Sequence, residues 1–202
     1  MYRLPCARFD DPDAIATALG TTGACLLDAF PSDSSPLRED LLRLQASDGL
    51  QRAAVGRAEG KRLQDDIRGD STLWLDDPRC AAAATAHLAQ LDTLRIELNR
   101  RLFLGLSEVE AHYAAYPAGA FYRRHRDRFR DSDARVVSLV SYLNTDWSTD
   151  DGGMLRLYLP DQAIVDVVPQ ENCSICFLSE IEHEVLPATR PRYSIAAWMR
   201  RA

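Results

Sequence analysis

Ala120-Phe121-Tyr122-Arg123-Arg124-His125-Arg126-Asp127 reads as a short strand that delivers an imidazole and a carboxylate two positions apart. In an extended segment, residues i and i+2 leave the same face, so one strand end can present both groups together. Around it, from Val109 onward, runs rich in β-branched and aromatic residues alternate with turns: 109–116, 120–125, 134–144, 153–159, 163–168, 173–178, 183–186 and 192–199. Gly152-Gly153 and Pro160-Asp161 punctuate these runs. Many short strands at this spacing predict a sandwich or jelly roll.

The upstream part is mixed. Asp11-Pro12-Asp13 caps a helix over Ala14 to Leu19 with a stop at Gly20, 23–30 reads as a strand, and Ser35-Pro36-Leu37 opens a second helix to about Leu44. Residues 46–75 are irregular and rich in Arg, Asp and Gly, the composition of a mobile surface loop with short strands. A long helix is expected from about Asp77 to Leu104, with Leu88, Leu91, Leu94, Ile96, Leu98 and Leu102 as a core stripe. The expected fold class is α+β: a double-stranded β-helix (jelly-roll) core with supporting N-terminal helices. It forms one domain over 1–202, with helical support and a mobile loop in 1–108 and the core in 109–202.

The bulk properties exclude several classes. A net charge of -6 argues against nucleic acid, because a sequence-independent grip on phosphates needs a basic surface. No apolar run approaches the ~20 residues of a membrane span, and the first residues lack a secretory signal. Five scattered cysteines (Cys6, Cys25, Cys80, Cys173 and Cys176) suggest reduced thiols in a cytoplasm. Cys173 and Cys176 form a C-x-x-C, but no second pair exists to complete a zinc site. On a strand they point to opposite faces and read as core thiols.

His125 and Asp127 are answered far downstream by His183. Two imidazoles and a carboxylate can occupy one face of an octahedral metal and leave the other open, as in the facial triad of non-haem Fe(II) oxygenases. A His-x-Asp alone is weak and fits a surface histidine better than a metal site; the order and spacing of the whole set carry the signal. The remaining histidines, His87 and His112, have no carboxylate placed like Asp127. In the run 192–199, Arg192, Ser194, Ala196 and Trp198 share one face. An inward arginine there predicts an anion, which guanidinium binds bidentately; an outward one in a surface ion pair fits the periodicity as well. The cluster Arg123, Arg124, Arg126, Arg128 and Arg130 reads either as a solvated face or as steering for an acidic ligand. Arg68-Gly69-Asp70 reads as a glycine turn between charges.

Residues 112–199 resemble the prolyl hydroxylase branch of the Fe(II)- and 2-oxoglutarate-dependent oxygenases. The landmarks are Tyr116-Pro117-x-Gly119, Tyr122-x-x-His125-x-Asp127, Tyr142-Leu143-Asn144-x-Asp146-Trp147, Gly152-Gly153-x-Leu155-Arg156, His183-Glu184-Val185-x-Pro187 and Arg192-Tyr193-x-Ile195-x-x-Trp198. Upstream, Ile67-Arg68-Gly69-Asp70-x-x-x-Trp74 resembles the oxygen-sensing enzymes and their bacterial relatives. An arginine at 192, where collagen-type enzymes carry lysine, points to that oxygen-sensor-like branch.

The resemblance implies iron ligation by His125, Asp127 and His183. Arg192, helped by the Tyr142 hydroxyl, would hold the distal carboxylate of 2-oxoglutarate. Tyr116, Leu155 and Trp198 would line the pocket, Arg135 and Tyr122 would face the substrate, and residues 60–74 would match a loop that closes over a peptide. The implied cofactors are Fe(II), 2-oxoglutarate and O₂, with ascorbate in support. The implied reaction is hydroxylation of a prolyl residue in a protein or peptide, a translation factor being a candidate, with release of succinate and CO₂. The same chemistry on a free amino acid or natural product, and a non-catalytic cupin-like metal binder, are the alternatives. The Tyr116-to-His125 loop is shorter than in animal oxygen sensors, and Arg128-Phe129-Arg130-Asp131 is more charged.

Overall fold

The computed structural model describes residues 3–53, 67–128 and 134–202. Residues 60–66 of the loop expected to close over a peptide, and Phe129, Arg130 and Asp131 of the charged stretch, lie outside the described residues. The strands are β1 (Cys6–Arg8), β2 (Ala24–Asp28), β3 (Gln51–Arg52), β4 (Ser71–Trp74), β5 (Leu106–Tyr116), β6 (Tyr122–His125), β7 (Arg135–Tyr142), β8 (Leu155–Tyr158), β9 (Ile164–Val167), β10 (Cys173–Leu178), β11 (Glu182–Val185) and β12 (Arg192–Arg201). The helices are α1 (Pro12–Thr22), α2 (Ser35–Ala46) and α3 (Ala82–Leu102). Among the described residues, eight strands form one sheet in the order β1-β2-β10-β7-β12-β5-β4-β3, and four form a second in the order β6-β11-β8-β9. This is the expected α+β double-stranded β-helix. The N-terminal part also adds four strands, β1 to β4, to the edges of the larger sheet.

The period-two rule sorts the core. Ile195, Ala197 and Met199 of β12 and Val137 and Leu139 of β7 pack with Ile15, Leu19, Leu41, Leu91, Leu94 and Leu98 of the helices. The opposite face joins Tyr116, Tyr142, Ile175 and Phe177 of the larger sheet to Leu155, Leu157 and Val185 of the smaller. Cys176 falls in the helix-side cluster and Cys173 packs against the inter-sheet cluster, as a C-x-x-C on a strand requires. All five cysteines are free thiols.

Two helix ends and one stripe position differ from the sequence reading: Ile96, expected in the core, is exposed on the outer side of α3. Helix α1 starts at its Asp11 cap, whose Oδ1 accepts from Ala14 N at 3.0 Å, but it runs through Gly20 and stops at Gly23. Gly23 takes the left-handed conformation (φ 79), and a Cβ there would stand 2.8 Å from Ile181 Cδ1. Helix α3 starts at Ala82 rather than near Asp77, because Asp77 is engaged by Arg79 through its backbone N (3.0 Å) and guanidinium (2.8 Å). The buried Asp40 carboxylate then anchors the helix start, accepting from Ala81 N at 2.9 Å and from the Tyr113 hydroxyl at 3.1 Å.

Candidate active site

The pairing of β6 with β11 sets His125 directly opposite His183. Asp127 follows just past the end of β6, and the three side chains converge with ligand atoms within 4.8 Å of one another. His183 Nε2 lies 3.5 Å from Asp127 Oδ2, and His125 Nε2 lies 3.7 Å from Oδ1. Each Nδ1 faces a backbone carbonyl, Arg123 O at 2.7 Å for His125 and Ile181 O at 2.9 Å for His183. Both Nδ1 atoms therefore carry the proton and donate it, so both Nε2 lone pairs are free toward the carboxylate.

Asp127 is fixed by the Ser138 hydroxyl, which donates to Oδ2 at 2.7 Å and meets the Ser179 hydroxyl at 2.9 Å. Burial opposes ionisation of Asp127, but positive charge around it, from the histidines when a second proton sits on Nε2 and from Arg135, outweighs burial and holds its carboxyl below the usual range. Burial holds the His183 imidazole below its ordinary value, against the pull of Asp127, and so favours the neutral ligand form. Two neutral imidazoles and one carboxylate suit a divalent transition ion such as Fe(II).

The triad opens on a cavity of about 540 Å³, lined among others by Arg68, Trp74, His112, Tyr116, Arg192 and Trp198. Arg192 is 1% exposed. Its Nε donates to Gly153 O at 2.8 Å and its Nη1 to Ser194 Oγ at 3.1 Å. A side chain on Gly153 would crowd Arg192 Cδ (3.2 Å) and Trp147 (3.1 Å), so glycine is what lets the guanidinium seat. Arg192 Nη2 and the Tyr142 hydroxyl are buried and have no partner among the described residues. The guanidinium stands 5.3 Å from the Tyr116 ring and 5.4 Å from the Tyr142 ring. A buried cation with a spare donor beside a spare hydroxyl is a receptor for a carboxylate. The donor set thus fits an anionic co-substrate reaching from the triad to Arg192.

The other expected residues also gather here. Leu155 and Trp198 line the cavity. Tyr122 stacks on the His125 ring at 3.7 Å. Arg135 lines the cavity, stacks over Trp198 at 3.6 Å and pairs with Glu110 at 2.7 Å.

Arg68 and Asp70 form more than a turn. They make a two-point ion pair at 2.5 and 2.8 Å with Asp70 buried, and Arg68 lies 4.8 Å over the Tyr122 ring. Asp70, Arg68 and Tyr122 together brace His125. Of the arginine cluster, Arg124 and Arg126 pair with Glu182 and Arg128 with Glu180, so these three read as a solvated, compensated face; Arg130 lies outside the described residues.

Sequence reasoning missed Ser138, Ser179 and His112. A serine between apolar residues, as in Val137-Ser138-Leu139, was the available signal, since a hydroxyl inside a buried strand needs a partner.

Comparisons agree with this geometry. Residues 111–200 match the family described as the 2OG-Fe(II) oxygenase superfamily. The chain is 33% identical over 142 residues to Egl nine homolog 1 of Homo sapiens, covering 66% of this chain and 33% of that protein. It is 33% identical over 144 residues to the hypoxia-inducible factor prolyl hydroxylase of Caenorhabditis elegans, covering 66% and 20%. The chain thus spans less than half the length of the curated relatives it matches. A crystal structure of a Pseudomonas putida prolyl-4-hydroxylase superposes with a TM-score of 0.85 at 43% identity, over 95% of this chain and 100% of that one. A Trichoplax adhaerens prolyl hydroxylase, in complex with a hypoxia inducible factor oxygen degradation domain peptide fragment, gives 0.84 at 29% identity, over 95% and 90%. With a His-Asp-His cluster at the mouth of its jelly roll and this match along its core strands, the chain belongs to the 2OG-Fe(II) oxygenase superfamily.

Proposed function

We propose that this chain, as one unit over 1–202, is an Fe(II)- and 2-oxoglutarate-dependent hydroxylase of prolyl residues in a protein or peptide. The observation that carries the reading is the pairing of two unmet groups, Arg192 Nη2 and the Tyr142 hydroxyl, with the convergent His125, Asp127 and His183. A non-catalytic metal binder has no use for a buried, half-satisfied guanidinium. His125, Asp127 and His183 would hold the iron through Nε2, carboxylate and Nε2. Arg192 and Tyr142 would hold the distal carboxylate of 2-oxoglutarate, with Tyr116, Leu155 and Trp198 as pocket walls.

When bound, these groups supply O₂ activation coupled to oxidative decarboxylation, giving succinate, CO₂ and a hydroxylated C–H position. The chain's own residues do the positioning. Ser138, itself met by Ser179, keeps the Asp127 carboxylate aimed, while the backbone carbonyls of Arg123 and Ile181 fix the tautomer of each histidine. Arg192, at one end of the pocket, sets the co-substrate's register relative to the triad. Leu155 and the indole of Trp198 keep the space apolar and exclude water.

The Caenorhabditis elegans, Pseudomonas putida and Trichoplax adhaerens relatives, each a prolyl hydroxylase, support a prolyl substrate in a peptide, and a translation factor is a candidate protein. Five free thiols fit a reducing, cytoplasmic setting, and among the described residues no helix is long and apolar enough to cross a membrane. The test is a hydroxylation screen of host lysate with Fe(II) and 2-oxoglutarate. A gain of ~16 Da on a prolyl peptide supports the reading. Hydroxylation of a free amino acid or natural product alone would replace it with the small-molecule alternative.

A further inference from the structure

The β-ladder gives the cavity a depth scale. Along β12, Arg192, Ser194, Ala196 and Trp198 stand opposite Tyr116, Ala114, His112 and Glu110 of β5. On the other side, Ser194, Ala196 and Trp198 stand opposite Tyr142, Val140 and Ser138 of β7. Asp127 is tied to Ser138, so the triad sits over β7, and a co-substrate reaching from there to Arg192 lies over β7 and β12. Strands lie about 4.8 Å apart. The space over β5 and β4, walled by Thr72, Trp74 and His112, is therefore a separate column beside the co-substrate.

His112 is 5% exposed and packs against the rings of Trp74 (5.3 Å) and Trp198 (5.2 Å), which also meet each other at 6.4 Å. Its Nδ1 faces Tyr113 O at 3.0 Å. Burial, with Arg68 adding to it, lowers its pKa to about 4, so the ring is neutral, Nδ1 carries the proton, and Nε2 presents a lone pair. Nε2 has no partner among the described residues and, unlike both nitrogens of His87, it is not among the atoms sealed inside the protein. The Trp198 indole packs beside it, its own Nε1 sealed and without an acceptor among the described residues. Buried polar groups are nearly always matched. On a cavity wall, the missing match arrives with what enters the cavity. An unmet acceptor on that wall complements the N–H of a peptide amide.

We infer that His112 is a substrate-recognition residue: its Nε2 accepts a hydrogen bond from a backbone amide N–H of the peptide being hydroxylated. The inference rests on the peptidyl-prolyl hydroxylase reading above. Proline lacks an N–H, so the donor belongs to a residue flanking the target proline. A wall built to accept that N–H rejects analogues lacking it, because its own acceptor is then stranded.

The test uses prolyl peptides recovered from the lysate screen, each resynthesised with one flanking amide at a time changed to an ester. Their binding to the protein loaded with Fe(II) and 2-oxoglutarate is measured without O₂, for wild type, His112→Gln and His112→Met. The expected result is one ester that weakens binding to wild type by about tenfold or more. His112→Gln, which keeps an acceptor, retains part of that discrimination. His112→Met binds amide and ester alike, with 2-oxoglutarate affinity at the wild-type level. If His112→Met binds the amide peptide as tightly as wild type, or penalises the same ester equally, the inference is overturned while prolyl hydroxylation stands. If wild type hydroxylates no lysate peptide, both readings fall.

Discussion

The two faces of β12 do different work. Ile195, Ala197 and Met199 are sealed against the helices, whereas Arg192, Ser194, Ala196 and Trp198, interleaved with them, line the cavity. On the helix face every group is satisfied by packing. On the cavity face Arg192 and Trp198 retain buried donors with no acceptor among the described residues. The first face maintains the fold; the second holds interactions in reserve for ligands.

The comparison breaks most visibly at the triad. His183→Ala should abolish Fe(II)-dependent succinate formation; turnover retained in that variant would remove His183 from the metal site. Next, Ile195→Ala should cost about 2–5 kcal/mol of stability by opening a cavity, read by denaturant unfolding, with kcat/KM per folded molecule near wild type. A stable Ile195→Ala with lost activity would erase the distinction between the faces.

Ser138→Ala leaves Asp127 without its hydroxyl donor. Iron affinity should drop roughly 10- to 100-fold in a metal-competition titration, with little change in 2-oxoglutarate-independent properties such as Tm.

The last effect, confined to acid pH, concerns His87, sealed on α3 against Phe30 with neither nitrogen hydrogen-bonded among the described residues. Burial lowers its pKa to about 4 from 6.5. The fold accommodates the neutral ring, so its contribution is complete above the unfolded value near 6.5 and is lost as pH falls toward 4. The loss is on the order of 3 kcal/mol across that window. His87→Leu should flatten the acid limb of stability by His87's share, leaving that of His112, which shifts the same way. An unchanged acid limb would show that the pocket around His87 admits the charged form at no cost.

The second half of the molecule was legible in the sequence because strand periodicity is short and local. Tyr122 to Asp127 announces its own geometry, and Arg192 to Trp198 sorts itself into two faces. What decides the rest is contact between distant segments. Gly23, and not Gly20, ends α1 because Ile181 fills the space a side chain would need. Strands β1 to β4 are two to five residues long and exist by pairing with remote partners. Arg68 and Asp70 look like turn residues until Tyr122 is brought over them. His112 looked inert because its significance lies in an unmet nitrogen, which only the assembled cavity reveals.

The claim on which the account turns is that the spare donor of Arg192 is kept for the co-substrate's far carboxylate. It is tested most directly by anaerobic titration with 2-oxoglutarate and with 2-oxopentanoate, which lacks that carboxylate, in wild type and Arg192→Ala. Wild type should prefer 2-oxoglutarate by about 100-fold or more, as expected for a buried charged hydrogen-bonded pair, and Arg192→Ala should bind the two alike. Equal affinities in wild type, or an undiminished preference in Arg192→Ala, would contradict it.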